Sequence, residues 1–294
     1  GEAGAVSGLR GGHSSLQQQH EGDLESATTA DEELQVQVPW EVKYYLGMHV
    51  ERDLDHRWLK LHQEKFIKEL GEKYGIENER KVATPLPAEF KLVKAAEDER
   101  NPSEEQVDAA ERVVKYLNSH PSIGVQYSAS AQVKQKWVEV LKEKGERLGE
   151  GKLFLTCFTN ATWASEKEDS SSVGGYICVV GGGPVSWRSK KQTETALSSV
   201  ESEYMAMFHG VKEVIWLRRL LEEIGQEQKV ATPLFCDSKG ALGMARNAVL
   251  HGLNKHMRIK WHWLRKDVKR GTVNPIYIKT HQQLADFLTK RLAD

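Results

Sequence analysis

The sequence lacks the features that mark secreted or membrane-spanning proteins. It contains three cysteines, Cys157, Cys178 and Cys236, and no two of them are close in sequence. This spacing argues against a disulfide framework and against a zinc site, so we expect buried free thiols in a reducing compartment. No apolar run approaches the roughly 20 residues of a membrane span, and no basic-then-apolar signal pattern opens the chain. We therefore expect a soluble, intracellular protein.

An excess of charge of either sign is also lacking. The 294 residues include 41 Lys and Arg against 42 Asp and Glu, which gives a formal net charge of −1. Global charge therefore predicts no polyanionic partner, and any nucleic-acid-binding surface must come from a local concentration of basic residues. The chain starts with Gly1 rather than Met, which suggests a fragment or a processed segment of a longer protein.

Composition divides the first half of the chain into three segments. Residues 1–38 are rich in Gly, Ser, Gln and acidic residues and have no apolar periodicity, which predicts disorder. Within residues 39–130, alternating apolar positions over 42–50 predict one strand, a turn near 53–56 predicts a hairpin, and two amphipathic helices follow. Residues 131–150, rich in Lys and Glu, are typical of a solvated helix or a linker.

The second half has a more regular pattern. An apolar run at 153–158 predicts a buried strand, and the Gly-rich turn at 181–183 joins two further strands. A long amphipathic helix follows, capped by Ser198 or Ser199. A strand, two helices, another strand and a last helix over 282–291 complete the order. We therefore predict an α/β fold in which a mixed sheet is flanked by helices.

Several sequence blocks occur in this half in a fixed order. They are GGPVSWRSKKQ (182–192), ALSSVESEYMA (196–206), WLRRLL (216–221), the CDS turn (236–238), KH (255–256) with His262, and QLADFLTK (283–290). Taken together they resemble the RNase H region of copia-type retrotransposon Pol polyproteins. The resemblance implies an RNase H-like domain over residues 151–294, a mixed sheet flanked by helices.

The first half resembles the preceding part of the same polyproteins more loosely. YLGM (45–48) and TPL (84–86) resemble the end of the reverse transcriptase, and AERVVKYL (110–117) resembles the connecting segment. The segment between these blocks is shorter than in the family, and the Asp-Asp pair of the polymerase is absent. The resemblance thus implies a small α+β remnant of the reverse transcriptase that cannot synthesise DNA by itself.

The resemblance also implies a catalytic metal site built from four side chains. RNase H chemistry uses two Mg²⁺ ions, or Mn²⁺ in their place, and such hard cations prefer charged oxygen ligands. The corresponding positions here are Asn160, Glu203, Asp237 and Asp286. An amide therefore replaces the family's central aspartate and removes one negative charge. We expect hydrolysis of the RNA strand in RNA/DNA hybrids to be lost or strongly reduced.

Each acidic position also has an ordinary interpretation. Asp237 precedes a helix, where Asp is a favoured N-cap. Asp286 taken alone would be a solvated helical acid. Glu201 and Glu203 are two residues apart, about 200° around a helix, so they cannot both face one site. The family's register favours Glu203 and leaves Glu201 as a surface acid.

Basic residues concentrate in one predicted helix near the end of the chain. The candidates for phosphate contacts with a hybrid duplex are Lys255, Arg258, Lys260 and Arg265. The alternative is a solvated helix whose tryptophans belong to the core. His281, just before the last predicted helix, is a candidate for product release or proton transfer, and otherwise an ordinary surface histidine.

Three functions from different classes fit these patterns. The chain is a nuclease that tolerates Asn160, a non-catalytic nucleic-acid-binding module, or a decaying relic of a transposon with neither activity. The expected partner is an RNA/DNA hybrid or another nucleic acid, and no membrane. Members of the family work in cytoplasmic particles, which predicts a cytoplasmic location, with the nucleus as the alternative.

Overall fold

Two β-sheets organise the part of the chain that the computed structural model describes. The described residues are 42–76, 80–87, 90, 101–128, 139–143, 145, 153–163, 171–247 and 255–290. The disorder predicted for residues 1–38 lies outside these ranges, as does most of the predicted linker over 131–150. Residues 44–294 form one compact unit, and residues 1–43 form another, of which only Val42 and Lys43 are described.

The first sheet has four antiparallel strands in chain order. They are β1 (Tyr44–Tyr45), β2 (Met48–Asp53), β3 (Trp58–His62) and β4 (Gly124–Ser128). Helices α1 (Glu64–Tyr74) and α2 (Glu104–Ser119) lie between β3 and β4 in the chain and pack against each other. Gly75 ends α1 in the left-handed conformation, and a reciprocal capping box between Ser103 and Gln106 starts α2. This arrangement is a small α+β unit.

The single strand predicted over residues 42–50 is wrong. A two-residue turn at Leu46 and Gly47, with φ of 48° and 80°, divides the segment into β1 and β2. Such a turn requires positive φ at both central residues, and its twist suits an antiparallel hairpin. Leu46 is therefore 79% exposed at the tip of the hairpin instead of lying on an apolar face.

The second sheet is mixed and has five strands. They are β5 (Leu155–Thr162), β6 (Val173–Val180), β7 (Gly183–Lys191), β8 (Thr232–Cys236) and β9 (Val273–Tyr277), in the order β7-β6-β5-β8-β9. Strands β5, β6 and β7 are antiparallel neighbours, whereas β8 runs parallel to β5 and to β9. Helices α3 (Ser199–Glu223), α4 (Lys239–Arg246) and α5 (Lys255–Lys269) accompany the sheet. This mixed, helix-flanked sheet confirms the predicted RNase H-like fold.

Alternation along the strands divides the core between the two faces of this sheet. On one face, Leu155 and Cys157 of β5 pack with the buried residues of α3, α4 and α5. On the other face, Phe158 of β5 stacks on Phe235 of β8 with ring centroids 4.7 Å apart. Both faces of the sheet are therefore covered, as the strong apolar character of β5 and β8 predicts.

Residues 139–143 are helical, in agreement with the helix alternative for this segment, but they are not fully solvated as expected. Val140 and Leu141 are buried, and Leu141 is fully inaccessible to solvent. Both belong to the core on the second face of the sheet, together with Phe158, Ile177 and Phe235. The many Lys and Glu residues around Val140 and Leu141 suggested a solvated segment. Two adjacent apolar residues are nevertheless enough to cover part of this face.

The predicted last helix over 282–291 is replaced by two 3₁₀ turns, Thr280–Gln282 and Asp286–Leu288. Between them, the side-chain amide of Gln283 donates to the backbone carbonyl of Thr159, and its side-chain oxygen accepts from the backbone N–H of Ala285. These bonds compete with the backbone bonds of a continuous helix. They also fasten the segment to β5.

A hydrogen bond between described residues joins the two sheets directly. The hydroxyl of Tyr127 on β4 donates to the backbone carbonyl of Pro184 on β7 at 2.8 Å. The adjacent Gly183 leaves no room for a Cβ beside the ring of Tyr127. The first half of the chain thus packs against the edge strand of the second sheet.

The three cysteines are buried and free, as predicted. Cys157 and Cys178 are directly paired across β5 and β6, and burial raises the pKa of the Cys157 thiol well above its ordinary value. Within the described ranges, no helix combines the length and the apolar character needed to cross a lipid bilayer.

Gly210 of α3 and Gly243 of α4 differ in the free space around them, and this difference allows a test of how tightly α3 packs on the sheet. A Cβ at Gly210 would lie 2.6 Å from Thr159 Cγ2 and 3.2 Å from Cys157 Sγ, whereas a Cβ at Gly243 in α4 meets no atom closer than 3.9 Å. We expect Gly210→Ala to lower the free energy of unfolding by about 1–3 kcal/mol through overpacking. Gly243→Ala, the matched control, should raise it by up to about 1 kcal/mol through helix propensity.

Urea unfolding of the full chain measures both effects. Equal changes in the two variants would contradict the close contact between α3 and β5.

Candidate active site

Parallel pairing of β5 and β8 places two predicted site residues side by side. Phe158 and Phe235 are paired, and two residues further along each strand come Asn160 and Asp237. Adjacent strands lie about 4.8 Å apart, so these side chains extend from neighbouring positions at one end of the sheet. Glu203 reaches this end from the second turn of α3, and Asp286 from a 3₁₀ turn after β9.

Glu203 and Asp237 form one half of the site. Among the residues that the structure describes, Glu203, Cys236 and Asp237 are the one group of three or more His, Cys, Asp or Glu residues whose possible ligand atoms all lie within 4.8 Å of one another. The Cys236 thiol donates to Glu203 Oε2 at 3.9 Å, and burial raises its pKa well above the ordinary value. The thiol therefore keeps its proton, and the two carboxylates are the candidate ligands for a hard cation.

Asn160 and Asp286 form the other half. Asn160 is 2% exposed, and its amide Nδ2 donates to Asp286 Oδ1 at 2.8 Å and to Thr289 Oγ1 at 2.7 Å. The Lys290 ammonium contacts the same Oδ1 of Asp286. One carboxylate oxygen thus accepts from both an amide and an ammonium, and the ammonium offsets part of the negative charge of Asp286.

Burial dominates the electrostatics of Glu203. It raises the pKa of this carboxyl to about 8, because the surrounding protein solvates the charged form poorly. A hydrogen bond from the backbone N–H of Ala161 opposes the rise, the charge of Asp237 adds to it, and Lys290 opposes it. These interactions connect the two halves: Ala161 follows Asn160, and Lys290 pairs with Asp286. The four predicted positions therefore belong to one cluster.

The capping alternative for Asp237 is excluded. Ser238 is the N-cap of α4, and its hydroxyl accepts from the backbone N–H of Ala241. Asp237 instead accepts a hydrogen bond of 2.8 Å from the hydroxyl of Thr280, which holds the carboxylate at the end of β8. Asp286 is half-buried in the cluster and is not a solvated helical acid.

Glu201 is not the surface acid that was expected. It is 8% exposed, and its carboxylate accepts from the backbone N–H of Leu197 at 2.8 Å. Its own backbone N–H donates to the hydroxyl of Ser198, the N-cap of α3. Glu201 thus secures the start of the helix that carries Glu203.

The exposed basic side chains of helix α5 differ from the set that the sequence predicted for phosphate contacts. Lys260 pairs with Glu194, and Arg265 is 9% exposed and stacks on the ring of Trp261 at 4.4 Å. Both are turned inward, whereas Arg258 is exposed, and the side chain of Lys255 lies outside the described residues. The solvent-facing stripe consists of Arg258, His262, Lys266, Lys269 and Arg270. Trp261 and Trp263 pack on the core.

Sequence patterns did not single out the side chains that support the carboxylates. Thr280, Thr289 and Lys290 all contact members of the cluster. Thr289 and Lys290 lie in the QLADFLTK block, so the block offered a signal, but their contacts depend on the 3₁₀ turn that replaces the predicted helix. His281 is exposed, next to Thr280, at the margin of the site.

Comparison with known proteins gives relatives but no matching family model. The chain is 31% identical over 266 residues to the retrovirus-related Pol polyprotein from transposon TNT 1-94 of Nicotiana tabacum, a match that covers 83% of this chain and 20% of that protein. It is 34% identical over 192 residues to the Pol polyprotein from transposon RE1 of Arabidopsis thaliana, which covers 65% of this chain and 12% of that protein. The chain therefore spans a fifth or less of the length of these relatives.

Solved structures of RNase H enzymes are among its structural neighbours. LC11-RNase H1 in complex with an RNA/DNA hybrid aligns with 46% of this chain and 92% of its own, at 12% identity and a TM-score of 0.35. The strand order and the helix-flanked sheet, rather than this likeness, identify the fold.

The raised pKa of Glu203 predicts a pH dependence of stability. The folded state keeps a proton that the unfolded state loses near its ordinary pKa of 4.5, so the free energy of unfolding should fall as pH rises from 4.5 to about 8. Glu203→Gln removes this fall in the free energy of unfolding, because Gln does not ionise. We expect the variant to match the unaltered chain at pH 4.5 and to exceed it at pH 8 by at most about 5 kcal/mol.

Urea unfolding in EDTA at both pH values measures the difference. Glu222→Gln, an exposed position near the end of the same helix, is the control. If the Glu203→Gln and Glu222→Gln chains share one pH profile, Glu203 ionises normally in the folded protein.

Proposed function

This chain is homologous to copia-type, retrovirus-related Pol polyproteins from transposons, and we propose that its RNase H-like domain binds nucleic acid but hydrolyses RNA/DNA hybrids weakly or not at all. The observation that carries the proposal is the pair formed by Asn160 and Asp286. The amide nitrogen of Asn160, 2.8 Å from Asp286 Oδ1, stands where the resemblance implies a carboxylate ligand.

The Glu203 half of the site fits a divalent cation. Its two carboxylates are close enough to share one ion, and hard oxygen donors suit Mg²⁺ or Mn²⁺. Binding would favour the ionised form of Glu203 and offset the cost of burying its charge. Glu203 and Asp237 are therefore the residues that would hold a metal ion.

The Asn160 half does not fit a second cation. Asn160 turns a hydrogen-bond donor toward Asp286, and the ammonium of Lys290 contacts the same oxygen. A second cation would have to displace both donors and would gain one carboxylate and one neutral amide oxygen in return. The charge that the family's aspartate supplies is absent from this position.

The consequence for the reaction follows from charge. When bound, two Mg²⁺ ions would activate the attacking water and stabilise the leaving oxygen of the phosphodiester. Glu203, Asp237 and Asp286 bring carboxylates to this cluster, of which Asp286 pairs with Lys290, whereas Asn160 brings no charge. Loss of one such ligand costs about 4 kcal/mol of transition-state stabilisation, or roughly a thousandfold in rate.

A non-catalytic nucleic-acid-binding role is the second candidate. It is supported by the solvent-facing stripe of α5, in which Arg258, His262, Lys266 and Lys269 recur at helical spacing. Such a stripe suits a phosphate backbone and needs no metal ion. Cleavage of a bound RNA/DNA hybrid distinguishes the two candidates: weak cleavage indicates residual hydrolysis, and binding without cleavage indicates the purely binding role. The cytoplasmic location stays a prediction.

Restoring the carboxylate tests the proposal. We expect Asn160→Asp to raise the rate of hybrid cleavage by roughly a thousandfold in Mg²⁺, because it returns the missing charged ligand. The measurement is cleavage of a labelled RNA/DNA hybrid by the full chain in Mg²⁺ and in Mn²⁺. Asp237→Asn, made in the Asn160→Asp background, is the control and should abolish the gain.

Two results would count against the proposal. If the unaltered chain cleaves within tenfold of the Asn160→Asp variant and loses this activity with Asp237→Asn, then Asn160 supports catalysis. If both folded proteins bind the hybrid and neither cleaves it, the assignment of the metal ligands is wrong.

A further inference from the structure

Helix α3 carries a row of apolar side chains on the side that faces away from the sheet. Trp216, Leu220 and Ile224 recur at every fourth residue and are 56%, 39% and 60% exposed. Side chains four residues apart form one ridge along the surface of a helix. Apolar side chains scattered singly over a surface are ordinary, whereas a surface helix normally presents polar residues along its solvent side. This row is therefore a candidate contact surface.

The WLRRLL block contributes to both sides of the helix. Leu217 and Leu221 are buried in the core between α3 and the sheet. Arg218 donates to backbone carbonyls of the loop that follows the helix. Trp216 and Leu220 are exposed, and neither belongs to the cluster of the candidate active site. Folding of the described part of the chain and the candidate site thus leave these two side chains without a partner surface.

Charge is distributed unevenly along the same row. Lys212 is exposed one turn before Trp216, whereas Glu223 is exposed beside Ile224 at the other end. The unpaired backbone carbonyls at the end of the helix add partial negative charge there. Among the described residues, neither Lys212 nor Glu223 takes part in an ion pair. The row therefore has a positive beginning, an apolar middle and a negative end.

We propose that this row is the contact between two copies of the chain, packed with their α3 helices antiparallel. A two-fold axis beside residue 218 places Trp216 of one copy against Leu220 of the other, and the symmetry repeats each contact. Lys212 and Glu223 lie six and five residues from this axis, about 9 and 8 Å along the helix. The cation of each copy therefore meets the acid of the other. A second copy fits because the row is complementary to itself when its direction is reversed.

The geometry of the helix predicts a weak dimer that leaves the candidate active site open. One helix face supplies less area than the roughly 800 Å² per partner of a stable interface, so association should be reversible and concentration-dependent. Glu203 precedes Trp216 by thirteen residues, about 20 Å along the helix. The candidate sites of both copies stay accessible. The dimer would form with or without nucleic acid and does not rest on the proposed function.

Sedimentation equilibrium of the full chain between about 1 and 300 μM measures the association. Leu220→Glu places a charge in the apolar middle of the contact and should raise the dissociation constant at least about tenfold. Ile259→Glu introduces the same charge at another exposed apolar position, on α5, and should leave the constant unchanged. A dimer that both substitutions weaken equally would overturn the proposal. So would a chain that stays monomeric throughout this range, and the row would then be left to a partner of another kind.

Exchange of the two charges tests the antiparallel direction. At low ionic strength, Lys212→Glu and Glu223→Lys should each raise the dissociation constant by about threefold, because like charges then meet. The variant with both substitutions restores the attraction and should return to within about twofold of the unaltered chain. Lys269→Glu, at an exposed lysine of α5, is the control for added negative charge and should change nothing.

The two single variants also test each other. A mixture of the Lys212→Glu chain with the Glu223→Lys chain should form mixed dimers in preference to either homodimer, because each contact then joins opposite charges. Weakening in the double variant that equals the sum of the two single effects would overturn the antiparallel contact.

Discussion

The parallel pairing of β5 with β8 is the contact on which the rest of the site depends. It aligns the ends of the two strands, so that Asn160 and Asp237 emerge beside each other while Phe158 and Phe235 stack below them. The same end of the sheet receives Glu203 from α3. Acidic side chains are thereby gathered at one end of the sheet, and the burial of Glu203 in particular makes its negative charge costly.

Each acid in the cluster is compensated in a different way. Asp286 accepts from the amide of Asn160 and pairs with Lys290, Asp237 accepts from Thr280, and burial raises the pKa of Glu203 to about 8. Asn160 fits this pattern, because its amide hydrogen-bonds to Asp286 where a carboxylate would repel it. Each of these contacts reduces the cost of gathering acidic side chains at one end of the sheet.

The sequence predicted which helices and strands occur more reliably than where each of them begins and ends. The strands and helices of the second sheet follow from apolar periodicity and from caps such as Ser198. Family resemblance named four site positions, and their role in a metal site stays a prediction. The turn at Leu46 and the 3₁₀ turns near Asp286 were missed because backbone conformation and a side-chain bond from Gln283 override local patterns. Arg265 was expected at the surface because its stacking on Trp261 is a tertiary contact that spacing does not reveal.

The burial of Val140 and Leu141 shows that the folded unit extends beyond the segment marked by the RNase H sequence blocks. The sequence blocks that resemble the RNase H region begin at residue 182, whereas the packing around Phe158 and Ile177 includes the helical residues 139–143. Tyr127 adds a further contact from upstream to Pro184. A truncation made at the first of these blocks would remove part of the core. The unit that must be kept together for folding is thus longer than the segment that the blocks delimit.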